Sequence, residues 1–90
     1  MFEKTFDQQG DFAALYAASN WLRANGYSCG SWQRGSPCGI MRGLEWSISK
    51  WRGMNARERD ALHGQMSGDG RNGPITIRIK DEYAPQQSDA

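Results

Sequence analysis

The chain has 90 residues, of which 38% are hydrophobic, and its 11 basic and 10 acidic side chains give a formal net charge of +1. This length suits one domain and leaves no room for a second, and the composition is not that of a disordered chain. No apolar run is long enough to span a bilayer, and the first residues lack the basic and apolar regions of a signal peptide. We therefore expect a cytoplasmic protein without contact to a membrane.

The segment from Asp11 to Asn25 predicts the first helix. Alanines favour the helix, and apolar residues recur at three-and-four spacing. Asp11 is the predicted N-cap, with Asp7 as an alternative start one turn earlier, and Asn25-Gly26 after a basic residue is the predicted end. The residues predicted to form the buried stripe are Phe12, Leu15, Tyr16, Ser19 and Leu22.

Short strands are predicted between Tyr27 and Trp51. Turn residues at Arg34-Gly-Ser-Pro37 and at Arg42-Gly43 separate a hairpin from a third strand. In the sequence LEWSISKW of that third strand, apolar and polar residues alternate, which predicts one buried face.

A second helix is predicted from Asn55 to about Met66, because Asn55 and Glu58 have the spacing of a capping box. The single histidine, His63, would then be an exposed residue of this helix. A glycine-rich loop follows, and the alternation in Ile75–Ile79 predicts a half-buried strand.

These elements predict an α+β fold. The predicted order is helix, three strands, helix and strand, with an optional further strand at Phe2–Phe6. An antiparallel sheet with both helices on one face would bury the single apolar side of each element. Residues 1–80 form the predicted domain, and residues 81–90 form a flexible tail.

The two cysteines, Cys29 and Cys38, are the first candidates for chemistry. A structural zinc site needs four ligands in close pairs, whereas these cysteines are nine residues apart and the chain has one histidine. In a cytoplasmic protein we expect reduced thiols that serve as small packing groups. A hairpin register that places them opposite each other would allow a bridge under oxidation.

Catalysis and cofactor binding find little support in the sequence. A cysteine nucleophile needs a nearby base, and no spacing brings His63 to either thiol. The loop GDGRNG follows a helix and precedes a strand, which is the reverse of a nucleotide-binding loop. The acidic residues lie at the ends of elements, where capping explains them. We expect a protein that is not an enzyme and has no cofactor or metal.

Partner binding is the remaining function, because the middle of the chain interleaves aromatic and basic residues. Exposed tryptophan and arginine are common binding hot spots, and the same residue types can also stack on bases and contact phosphate. Packing of the tryptophans at the rim of the core is the competing interpretation. A homodimer is a further alternative, since a small domain gains by covering an edge strand. The candidate partner-binding residues are Trp32, Arg34, Arg42, Lys50, Trp51 and Arg52.

The sequence also resembles a family of short open reading frames carried by phages and prophages of Gram-negative bacteria. The resemblance rests on WLRANGYSCGS (Trp21 to Ser31), on PCGIMRG, and on ISKWRGMNARERDALHGQMSGDGRNGPITIRI (Ile48 to Ile79), and it extends from about Phe2 to Ile79. The family has no assigned activity, so the resemblance transfers no catalytic residue.

What the resemblance implies is a setting in the cytoplasm of a bacterial host. Small phage proteins of this kind often bind a host protein and block it, as inhibitors of defence systems such as CRISPR effectors do. The expected function is therefore stoichiometric binding of a host protein or complex. The alternative is a small nucleic-acid-binding module that uses the same basic and aromatic surface.

Overall fold

The computed structural model describes residues 1–30, 38–43, 55, 57 and 62–85. In these residues one antiparallel sheet of five strands packs against one α-helix, as the predicted α+β class requires. The elements are β1 (Phe2–Phe6), α1 (Ala13–Ala24), β2 (Tyr27–Cys29), β3 (Cys38–Arg42), β4 (Gly64–Gly68), β5 (Ile75–Ile79) and a 3₁₀ turn (Asp81–Tyr83).

The strands lie in the order β1-β5-β4-β3-β2, so β1 and β2 form the two edges. The register pairs Phe2 with Ile79 and Tyr27 with Arg42. The optional N-terminal strand and the predicted hairpin are therefore confirmed. Gly64 pairs with Ile79 in the middle of the sheet, and a Cβ at Gly64 would collide with the backbone of β5. Only glycine allows this close approach of the two strands.

The helix α1 runs from the β1 edge to the β2 edge across one face of the sheet. The alternation predicted for β5 is confirmed, because its three isoleucines are fully buried beneath the helix. The buried core consists of Phe6, Ala14, Ala18, Leu22, Tyr27, Cys38, Ile40, Met66, Ile75, Ile77 and Ile79.

The buried face of α1 differs from the predicted stripe. Ala14, Ala18 and Leu22 face the sheet, whereas Phe12 and Tyr16 are 39% and 64% exposed. Two small alanines let the helix lie close to a sheet filled with isoleucines, and larger side chains at those positions would hold it away. Volume, more than hydrophobicity, decides which face is buried.

The two ends of α1 also differ in how well the sequence predicts them. The N-cap is Phe12 in the left-handed conformation, with φ 62°, and it makes no side-chain capping bond, so the prediction of Asp11 as cap is wrong. The predicted end is confirmed, since the helix stops at Ala24 and Gly26 follows with φ 83°. Glycine adopts this conformation at little cost.

The predicted second helix is wrong at its C-terminal end, because Gly64–Gly68 is a strand. The strand pairs on both sides, and this tertiary pairing overrides the weak local preference for a helix. Among the described residues α1 is the one α-helix with defined bounds, and the elements follow the order β1, α1, β2, β3, β4 and β5, so the predicted order of helix, three strands, helix and strand is wrong. β2 and β3 form the hairpin that precedes the predicted third strand, Leu44 to Trp51. That third strand and most of residues 56–61 lie outside the described residues.

The chain remains anchored beyond residue 80. Asp81–Tyr83, which the sequence assigns to the flexible tail, forms the 3₁₀ turn, and Tyr83 is partly buried against the core. Within the described part of the chain, no helix has the length and apolar character needed to cross a membrane.

Candidate functional site

The sheet has two ends with different chemistry. At one end lie the last residue of β3, the first residue of β2 and the residues that flank β4 and β5 on that side. We call this group the His63 cluster; it consists of Tyr27, Arg42, His63, Lys80 and Tyr83. The opposite end, which we call the loop end, holds the start of α1 and the connection between β4 and β5.

His63 lies directly before β4 and outside any helix, so the prediction of an exposed helical histidine is wrong. Its backbone N–H donates to the carbonyl of Ile40 at 3.0 Å, and its carbonyl accepts the N–H of Lys80 at 2.9 Å. Its Nδ1 accepts the backbone N–H of Arg42 at 2.9 Å. The imidazole thus satisfies an amide at the end of β3 that has no backbone acceptor in β4.

Tyr83 packs directly on this imidazole. The two rings are stacked with centroids 3.8 Å apart and planes 16° apart. The carbonyl of Tyr83 accepts the phenol O–H of Tyr27, which is almost fully buried. The 3₁₀ turn is therefore attached to the sheet both by a ring stack and by a hydrogen bond.

Arg42 completes the cluster. Its guanidinium lies over the ring of Tyr27 at 5.2 Å, and its Nη2 donates to the Tyr27 hydroxyl at 3.4 Å. The contacts close into a ring in which Arg42 contacts Tyr27, Tyr27 contacts Tyr83, Tyr83 contacts His63, and His63 contacts Arg42. Despite these contacts, Arg42 is exposed to solvent.

The electrostatics of the cluster favour a neutral imidazole. Partial burial, followed by the positive charges of Arg42 and Lys80, lowers the pKa of His63 from its ordinary value, and the carboxylate of Glu82 opposes this shift. The hydrogen bond acts in the same direction, since a protonated Nδ1 could not accept the Arg42 amide. His63 is thus held as the tautomer that carries its proton on Nε2.

The two cysteines do not form part of this cluster. Cys29 and Cys38 are bonded to each other, with a Cα–Cα distance of 6.3 Å, so the expectation of reduced thiols is wrong. The hairpin register brings them diagonally across β2 and β3, because Cys29 pairs with Ile40. With the sulfur atoms joined, neither cysteine offers the thiolate that nucleophilic catalysis requires.

Of the six predicted contact residues, the structure describes only Arg42. Trp32, Arg34, Lys50, Trp51 and Arg52 lie outside the described residues. Gly30 and Cys38, which flank the segment with Trp32 and Arg34, are at the opposite end of the hairpin from Arg42.

Tyr27, one of the aromatic residues of the basic and aromatic middle segment, is buried and not available to a partner. This tyrosine is 1% exposed, and its ring stacks on Trp21 at 6.5 Å, so it cannot stack on a base. Its part in the basic and aromatic surface is to support the guanidinium of Arg42 from below.

Exposed aromatic residues occur instead at the loop end. The rings of Phe12 and Tyr16 lie 6.3 Å apart on the solvent side of α1. The N–H of Phe12 donates to the carbonyl of Arg71 at 2.7 Å, and the side chain of Arg71 lies 3.6 Å from the carboxylate of Asp11.

Sequence analysis missed His63, Lys80 and Tyr83 as members of one site. Arg42 and His63 are 21 residues apart, and Tyr27 and Tyr83 are 56 apart. The one available signal was that a single histidine directly precedes Gly64, where a glycine can mark a close approach of two backbones.

The described residues contain no group of three His, Cys, Asp or Glu side chains that could hold a metal ion. Comparisons with protein-family models, with curated proteins and with solved structures gave no match to this chain. Function is therefore inferred from the geometry of the chain itself.

Proposed function

We propose that this chain is a non-catalytic binding protein that acts by stoichiometric binding of a bacterial host protein. The contact surface centres on the His63 cluster, with Arg42 as its main residue. The proposal keeps the function expected from the sequence but moves its centre from the hairpin turn to the opposite end of the sheet.

The observation that carries this proposal is that Arg42 is exposed to solvent and yet held in place by neighbouring residues. Its guanidinium is exposed, yet it is ordered by the ring and hydroxyl of Tyr27. Among the described residues, no carboxylate lies within salt-bridge distance of it. An arginine held in place before binding loses less side-chain entropy on complex formation, and arginine is enriched among residues that dominate binding energy.

The charge distribution favours a protein over nucleic acid. Arg42 and Lys80 are accompanied by Asp81 and Glu82 on the adjacent turn. A nucleic-acid surface needs a track of cations along successive phosphates, and the carboxylate of Glu82 would repel such a backbone. A small surface that carries both positive and negative charges suits a protein interface.

The phage resemblance supports the choice of a host protein as target. In that setting, inhibition of a defence complex, as anti-CRISPR proteins perform, is the activity that stoichiometric binding would produce. No catalytic group is needed for it, because occupying a surface of the target is sufficient.

Affinity capture from lysates of Gram-negative bacteria, with and without phage infection, tests the proposal. The immobilised chain is expected to retain one host protein or complex in a fixed molar ratio. Arg42→Gln should reduce that retention, whereas Arg71→Gln, the same charge change at the loop end, should not. Absence of any specific partner under both conditions would contradict the proposal.

Nucleic-acid binding is the second candidate, favoured by the stack of Tyr83 on His63 beside two cations. If it holds, a ten-nucleotide single strand should bind at about 50 mM salt, and binding should weaken steeply as salt rises. Equal binding by wild type and Arg42→Gln, or no binding, would remove this candidate.

A further inference from the structure

We propose that Arg42 and His63 form an oxyanion site that binds a carboxylate on an acidic segment of the partner protein. This inference rests on the proposed function and specifies the chemistry of its contact. It assigns His63 the role of a neutral hydrogen-bond donor and Arg42 that of the charged donor.

The guanidinium of Arg42 is suited to a carboxylate by its shape. It is planar and presents a fork of N–H donors that matches the two oxygens of a carboxylate. Tyr27 contacts it at the ring face and at one nitrogen, Nη2, so donors remain for a ligand. The buried ring of Tyr27 fixes the position of this fork relative to β2.

The imidazole of His63 supplies the second donor. Because Nδ1 accepts the backbone N–H of Arg42, the neutral ring carries its hydrogen on Nε2. The stack on Tyr83 fixes the plane of the ring, and the residue is only partly buried. The same hydrogen bond that sets the tautomer also joins the two donor residues to each other.

The charges around the pair favour one carboxylate over a polyanion. Arg42 and Lys80 both lie near enough to His63 to act on its charge, and Glu82 acts in the opposite sense. Asp81 is already engaged by the N-terminal ammonium at 2.8 Å. Among the described residues no carboxylate lies within salt-bridge distance of Arg42, so one Asp or Glu side chain of a partner would neutralise its charge.

The single histidine of the chain makes a direct test practicable, because its ring C–H resonances in a proton NMR spectrum need no assignment. The probes are acetyl-hexaglutamate amide, the corresponding hexaglutamine peptide, inorganic phosphate and a ten-nucleotide thymidine strand. The hexaglutamate peptide should shift the His63 resonances saturably and raise the pKa of His63, since a nearby negative charge favours the imidazolium form. The hexaglutamine peptide should do neither.

Three variants locate the effect. Arg42→Gln should weaken hexaglutamate binding about tenfold, which corresponds to about 1.4 kcal/mol, and Arg42→Lys, which keeps the charge but loses the fork, should fall between. Arg71→Gln should leave the affinity unchanged within about twofold. Equal losses in Arg42→Gln and Arg71→Gln would overturn the site, as would tighter binding of phosphate or the nucleotide strand than of hexaglutamate.

The outcome separates this inference from the proposed function. If lysate capture yields a partner whose retention is the same for wild type and Arg42→Gln, and hexaglutamate leaves His63 unaffected, the oxyanion site is wrong and the binding function stands. If hexaglutamate binds as expected but no host partner is captured, the site stands and the proposed function is wrong.

Discussion

The two ends of this sheet are stabilised in different ways. In the His63 cluster, residues from β2, β3, the position just before β4 and the C-terminal turn contact one another in a closed ring, and every contact involves at least one side chain. The loop end is stabilised instead by backbone hydrogen bonding and by a covalent bond. Phe12 takes a left-handed conformation to donate its N–H to Arg71, and the Cys29–Cys38 bond joins β2 to β3.

This difference bears on function. The His63 cluster carries polar groups at the surface. The exposed guanidinium of Arg42 and the partly buried imidazole of His63 can contact a ligand there without any change in the fold. The loop end presents the aromatic pair Phe12 and Tyr16, but the N–H of Phe12 is bonded to the carbonyl of Arg71, and the side chain of Arg71 lies beside the carboxylate of Asp11. A polar binding site is therefore expected at the first end, and four measurements test the contrast.

The largest expected effect is at the loop end. The Cys29–Cys38 bond closes a short ring, with a sequence separation of 9. Its loss should lower the free energy of unfolding by about 3 kcal/mol, because the unfolded chain regains conformational entropy. Urea unfolding of the oxidised chain, of the chain reduced with a phosphine, and of the double variant Cys29→Ala/Cys38→Ala measures this. An unchanged midpoint on reduction would show that the bond does not brace the hairpin.

The next effect concerns the His63 cluster. Tyr27→Phe removes the donor to the Tyr83 carbonyl and the acceptor for Arg42 while leaving the buried ring in place. The free energy of unfolding should fall by about 1–2 kcal/mol, as expected when a partly buried carbonyl loses its partner. Tyr16→Phe is the matched control, since that hydroxyl is exposed on α1 and should contribute almost nothing. Equal losses of unfolding free energy in the two variants would show that the contacts of the Tyr27 hydroxyl do not stabilise the fold.

A smaller effect, of opposite sign, is expected at Phe12. Its left-handed backbone costs an ordinary residue of order 1 kcal/mol, which glycine avoids. Phe12→Gly should therefore raise the free energy of unfolding by up to about 1 kcal/mol, even though the contact with Tyr16 is lost. Ser19→Gly, within the exposed face of α1, should lower it instead. If both glycine variants are destabilised alike, the strain at Phe12 is compensated by its ring.

The smallest effect is the pH dependence of stability due to His63. Its pKa is lowered in the folded chain, so between that value and the ordinary 6.5 the unfolded chain binds more protons than the folded one. The stabilisation is thus fully present above 6.5 and is lost as pH falls from 6.5 through the folded pKa. Urea unfolding between about pH 5 and 8 should show it, and His63→Gln should remove this slope. An identical slope in the variant would assign it to other groups.

The sequence predicts the elements better than it predicts the site. Local signals were sufficient for β1, for the β2–β3 hairpin, for β5 and for the end of α1 before Gly26, because alternation and a left-handed glycine act over a few residues. They failed for Gly64–Gly68, where pairing with β3 and β5 overrides a helical pattern. Arg42 was chosen for its charge and its neighbours in sequence, and nothing local predicted His63 beside it.

The division has a physical reason. By itself, the sequence determined a small α+β domain with a basic, aromatic middle segment, since composition and short-range periodicity are properties of the chain before it folds. Only the tertiary structure decided which face of α1 is buried, that Cys29 and Cys38 are joined, and that His63 accepts the amide of Arg42. These outcomes depend on strand register and on side-chain volume across the core, which arise when residues distant in the chain are brought together.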